Sequence, residues 1–235
     1  MLIFGYIKLL KNVASLGYKN NDMRVYLHLL LSANYTDGEY KGIKLKAGQL
    51  VTSYQSIADK LKLTEKAVKV AVKHLVDSDK IKIKGLPPRF SVCTITDYKL
   101  QTDNNTYNYT KLYRNIQAYD WYGDDITAKL YYYILLNHTT DGCRYRPVDV
   151  RLTFNLSKNQ YNKAIKCLVD SGAITIKTDV RYTIAKIAGE KEDKAKEKKD
   201  KKEVIKDVVR EEEKVDNVIS LSSDENVNLS NIVLF

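Results

Sequence analysis

Lys66, Lys69 and Lys73 stand three and four residues apart, the spacing that gathers side chains on one face of a helix. Lys62 and Glu65 border that face, and Lys80, Lys82, Lys84 and Arg89 extend the basic set through the segment that follows. Ammonium groups are point charges suited to phosphate oxygens, so this set favours affinity over base discrimination. Ninety-three residues further on a second set occupies matching positions: Lys158, Asn159, Gln160, Asn162, Lys163 and Lys166, with Arg181 beyond. Asn and Gln pair in bidentate fashion with an adenine edge, so the second set is the better candidate for sequence readout. No glycine-rich phosphate loop, triad-like grouping or paired carboxylates appear, and Cys93, Cys143, Cys167, His28, His74 and His138 lack metal-ligand spacing. The chain reads as non-enzymatic, with no cofactor and no metal.

Helices must carry both sets. Val68, Ala71, Val72 and Leu75 recur at the helical period opposite the lysines, and the helix leads through a charged turn into the alternating Ile81-Lys82-Ile83-Lys84. The whole stretch Leu63–Lys84 recurs as Leu156–Lys177, with Leu75-Val76-Asp77-Ser78 repeated unchanged as Leu168-Val169-Asp170-Ser171. Upstream, Tyr6–Val13 matches Tyr109–Ile116, each read as a short amphipathic helical turn or two. Asp22–Tyr35 and Asp125–Thr139 read as apolar helices with an acidic residue near the start, and each is followed by Thr-Asp-Gly. The first copy alone then carries GEYKGIKLKAG, whose Gly-flanked alternation predicts a β-ribbon or extended arm.

A short helix follows in each copy, Ser53–Leu61 with Ser53 as N-cap and about 147–154 in the second, and Thr64 and Ser157 cap the lysine- and asparagine-bearing helices. Return strands are expected at Arg89–Thr96 and Arg181–Ile187. The order helix, short strand, helix, recognition helix, two-stranded wing predicts an α+β, mainly helical chain of two tandem winged helix-turn-helix domains. They are placed at 1–98 and 109–188 with a polar linker at 99–108, followed by a disordered charged tail at 189–235.

Charge supports a polyanionic partner. Residues 190–235 hold ten Lys/Arg against thirteen Asp/Glu, so the first 189 hold 29 against 16 and carry the excess behind the net +10. No leader or membrane span is read, which points to a soluble, cytoplasmic protein. Among eighteen tyrosines, Tyr131, Tyr132, Tyr133 and Tyr161 fall on helices as core, while Tyr107, Tyr109 and Tyr182 are the candidates for stacking on single-stranded bases. The C-terminal tip, Asn231-Ile232-Val233-Leu234-Phe235, resembles the pentapeptide by which bacterial replication proteins dock on the sliding clamp, departing from it most at Asn231 and Val233. An apolar anchor on a long tether gains from effective concentration. A tip that packs back on the body is the other reading.

The first copy also resembles the winged-helix domain of phage replication proteins and the N-terminal domain of DnaD-type replisome organisers. Four stretches carry the resemblance: Tyr26-x-His28-Leu29-Leu30-Leu31-x-Ala33-Asn34, Gly42-Ile43-x-Leu45-x-x-Gly48-Gln49-Leu50-Val51-Thr52-Ser53, Ile57-Ala58-x-x-Leu61-x-Leu63-Thr64, and Thr94-Ile95-x-x-Tyr98. It covers residues 5–98; the second copy lacks Gly-Gln-Leu-Val-Thr-Ser. The resemblance implies double-stranded DNA binding in replication initiation of a phage or mobile element inside a bacterial host cell. A winged-helix transcriptional regulator and a protein-interaction adaptor are the alternatives.

Overall fold

A computed structural model describes residues 6–17, 21–86, 90–98, 109–139, 141–178 and 182–187 of the 235. The chain is mixed α+β. Its first half runs β1 (Tyr6–Leu10), a 3-10 turn (Lys11–Leu16), α1 (Asp22–Ser32), β2 (Gly38–Tyr40), β3 (Ile43–Leu45), β4 (Gln49–Thr52), α2 (Tyr54–Leu61), α3 (Glu65–Asp77), β5 (Ile81–Leu86) and β6 (Phe90–Ile95). The second runs β7 (Tyr109–Tyr113), 3-10 turns at Arg114–Ala118 and Asp120–Gly123, α4 (Asp125–Leu136), β8 (Cys143–Tyr145), α5 (Pro147–Phe154), α6 (Lys158–Asp170), β9 (Ile174–Thr178) and β10 (Thr183–Ile187).

The repeat in the sequence is a repeat in topology. Antiparallel sheets of order β4-β6-β5 and β8-β10-β9 close the two halves, so the strand before each helix pair lies beside the last strand of its half. Side-chain caps set the helix starts: Ser53 accepts from the Ser56 amide, Thr64 from Ala67 and Ser157 from Gln160. Each first helix stops at a residue forced into the left-handed region, Lys62 in one half and Asn155 in the other, both at φ 52°. The chain then turns and starts the next helix.

The insertion in the first half forms the hairpin β2–β3. Its turn residues Lys41 (φ 49°) and Gly42 (φ 80°) both take positive φ, as a two-residue primed turn demands. Gly48 (φ 81°) lies under Tyr98, whose Cβ would come within 2.6 Å of any Cβ added there.

One expectation is corrected. Tyr6–Leu10 and Tyr109–Tyr113, read as helical turns, are strands, and they pair antiparallel with each other. Only the residues after them, Lys11–Leu16 and Arg114–Ala118, turn helically. Five residues of YIKLL or YTKLY are too few for periodicity to separate the two conformations, and a partner more than a hundred residues away decides.

The described residues form one compact unit, and a single hydrophobic cluster runs through both halves, from Ile7, Leu30 and Leu75 to Trp121, Leu135 and Leu168. Polar cross-links reinforce it. Arg24 on α1, only 1% exposed, donates to Asp125 Oδ1 at 2.7 Å, to the Leu61 carbonyl at 2.8 Å and to the Gly123 carbonyl at 3.1 Å. Arg114, after β7, donates to the Leu31 and Ala33 carbonyls at the end of α1 and to the Tyr98 hydroxyl. The expected linker at 99–108 and the tail at 189–235 lie outside the described residues.

Candidate nucleic-acid interface

Helices α3 and α6 bury matching faces. Val68, Ala71, Val72 and Leu75 point into the core in one, and Tyr161, Ala164, Ile165 and Leu168 in the other. The opposite faces are open: Lys66, Lys69 and Lys73 on α3, and Lys158, Asn159, Gln160, Asn162, Lys163 and Lys166 on α6, are all exposed. Along β5, buried Ile81 and half-buried Ile83 alternate with exposed Lys82 and Lys84, so both lysines share the outer face of the strand.

The lysines are not equivalent. Among the described residues Lys66, Lys73 and Lys84 have no ion pair, whereas Lys69 sits 2.6 Å from Glu65 and 5.7 Å above the Tyr54 ring. Lys82 is 3.9 Å from Asp79, and Lys80 is 3.7 Å from Asp97. Lys62 lies apart from this face. Its stem packs over Gly123 of the second half, where an added Cβ would meet Lys62 Cγ at 2.8 Å, so it helps join the halves.

The asparagine set is likewise graded. Gln160 Oε1 accepts from the Ser157 amide at 2.9 Å while Ser157 Oγ accepts from the Gln160 amide, a reciprocal cap that commits the oxygen a bidentate adenine contact needs. Asn159 and Asn162 remain open. Arg89, Arg181 and the tip Asn231–Phe235 lie outside the described residues, as does Tyr107.

The stacking candidates that are described have their rings engaged. Lys8 Nζ lies 5.2 Å above Tyr109, and the Arg144 guanidinium lies 4.3 Å above Tyr182. Tyr131, Tyr132 and Tyr161 are core, and half-buried Tyr133 packs edge-on to Tyr145 and Phe154.

The hairpin adds basic residues that helical spacing alone does not single out. Lys41, Lys44 and Lys46 are exposed on and beside it with Tyr40, and Lys41 lies 5.6 Å over the Tyr40 ring. Lys41 occupies a left-handed position that costs a non-glycine residue about 1 kcal/mol. Their signal in the sequence is a lysine at every second or third position of Lys41–Lys46.

Buried titratable groups lie away from these faces. Burial first, and Lys60 second, push the His28 imidazole down to about 4, with Nδ1 3.1 Å from the Tyr122 hydroxyl. Burial pushes the Cys93 thiol up to about 12 and the Cys143 thiol up to about 11. No described helix is long and apolar enough to cross a membrane, and the described residues contain no cluster of three or more metal-ligating side chains. Compared with models of known protein families and with curated proteins, the chain matches none.

Proposed function

We propose that the chain is a non-enzymatic double-stranded DNA-binding protein, built as two winged-helix halves and acting in replication initiation of a phage or mobile element. One observation carries the reading. The order strand, helix, helix, strand, strand occurs twice with the same sheet order, and each time it leaves the second helix with a buried apolar face and an open cationic or amide face. Lys66, Lys73 and Lys84, with Lys158, Lys163 and Lys166, supply the phosphate contacts, and Asn159 and Asn162 read bases. The replication context rests on the resemblance of residues 5–98, and the tip Asn231–Phe235 serves there as a tether to the sliding clamp or another replisome protein.

The adaptor reading has one observation in its favour: Val70 and Val76 on α3 are 48% and 42% exposed, apolar surface that a protein partner would cover. Fluorescence anisotropy of the full chain on duplex and single strand across a salt series separates the readings. DNA binding predicts submicromolar duplex affinity that falls steeply with salt. Replacing Lys66, Lys73 and Lys84 by Glu should make the log–log salt slope shallower by about 2.7, at roughly 0.9 for each phosphate no longer neutralised. Weak, salt-insensitive signals on both nucleic acids overturn the proposal.

A further inference from the structure

Strands β1 and β7 pair in a register with unusual content. Tyr6 faces Tyr113, Ile7 faces Leu112, Lys8 faces Lys111, Leu9 faces Thr110 and Leu10 faces Tyr109. In the sequence repeat Tyr6 corresponds to Tyr109, Lys8 to Lys111 and Leu10 to Tyr113. Exchanging each residue for its repeat counterpart therefore turns every pair into another pair of the same ladder, and Lys8↔Lys111 into itself. The ribbon has a local two-fold axis through that lysine pair.

The chemistry obeys the same operation. Two lysines directly opposite would repel. Instead each ammonium reaches over a tyrosine of the other strand: Lys8 over Tyr109 at 5.2 Å and Lys111 over Tyr6 at 4.6 Å. The path out of the ribbon also repeats, with a 3-10 turn beginning at Lys11 or Arg114 and the long helix at Asp22 or Asp125, each pair 103 residues apart.

A repeat joined this way is arranged as an isologous dimer is, by rotation rather than by translation along the chain. Two-fold proteins meet duplex DNA through inverted half-sites, because protein and DNA dyads coincide, whereas translated repeats read direct repeats. We propose that a single chain binds duplex DNA across two half-sites in inverted orientation, unequal in sequence because α3 and α6 carry different side chains. Glu65, Lys66, Lys69 and Val70 stand where α6 has Lys158, Asn159, Asn162 and Lys163. This rests on the DNA-binding reading and adds to it the symmetry and the copy number of the complex.

The test makes the two helices alike. In the full chain Glu65→Lys, Lys66→Asn, Lys69→Asn and Val70→Lys are combined; all four positions are exposed, and circular dichroism checks that the fold persists. Both proteins then select from a random duplex library, and sedimentation gives the stoichiometry. Wild type should enrich two different blocks at fixed spacing with one chain per duplex. The variant should enrich one block and its inverted copy at that spacing, and bind this duplex roughly tenfold more tightly than one with the blocks as a direct repeat. A direct repeat, a single block, or two chains per duplex overturns the inference and leaves DNA binding standing. Absence of any duplex binding by wild type overturns both.

Discussion

Replacing Arg24 by Met tests whether the halves are one cooperative structure. The guanidinium is buried and makes three charge-assisted hydrogen bonds, two of them to backbone carbonyls. Methionine fills a similar volume and relieves the cost of burying the charge, but it leaves the Leu61 and Gly123 carbonyls without that donor, at about 1–3 kcal/mol each. Asp125 adds little, since it is half exposed and keeps Lys129 at 3.0 Å. The expected loss is about 3 kcal/mol.

The chain's single tryptophan makes the assay specific. Trp121 is buried in the second half, with Nε1 donating to Ser171 Oγ at 2.9 Å, while Arg24 belongs to the first half. In urea the Trp121 fluorescence transition should fall by roughly 1.5 M, for a slope near 2 kcal/mol per molar, and coincide with the circular dichroism transition. A Trp121 midpoint that stays at the wild-type value while helix is lost earlier would refute the shared core. The halves would then unfold separately, and Arg24 would matter only to its own.

Two further outcomes follow from local geometry. Gly48→Ala places a Cβ 2.6 Å from Tyr98 Cβ at a φ that L-residues avoid, and should lower stability by about 3 kcal/mol in thermal unfolding; a change under about 1 kcal/mol would show that Tyr98 yields freely. His28 gives an acid dependence: above pH ~6.5 it is neutral folded or unfolded, but as pH falls toward 4 the unfolded chain takes up a proton that the buried imidazole refuses. Up to about 3 kcal/mol of stability is lost over that window. His28→Gln should flatten this limb between pH 7 and 4.5, and an unchanged slope would assign the acid sensitivity elsewhere.

The parts legible in the sequence are those fixed by near neighbours. The buried faces of α3 and α6, the caps at Ser53, Thr64 and Ser157, and the short helix Pro147–Phe154 follow from spacing and local side chain–backbone bonds. The hairpin is visible as an arm, but its lysines read as an insertion rather than as part of a basic surface. Arg24 and Arg114 are not legible as core residues, because a lone arginine in an apolar segment becomes internal only when distant carbonyls converge on it. Gln160 reads as a free amide because recognition and capping use the same group. Strands β1 and β7 carry too little local pattern to declare themselves.

That last pairing constrains how the protein is made. Tyr6–Leu10 leaves the ribosome about a hundred residues ahead of its ladder partner, Tyr109–Tyr113. At about 5–20 residues per second the wait is roughly 5–20 s, during which Ile7 and Leu9 have no strand to cover them. Closing a loop of about a hundred residues also costs on the order of 4 kcal/mol of chain entropy before the ladder can offset it. The carbonyls of Leu31 and Ala33 wait as well, because Arg114 follows the same late strand. The nascent chain thus meets a holdase or a protease with this strand still open, and the strand is placed only after residue 113 has emerged.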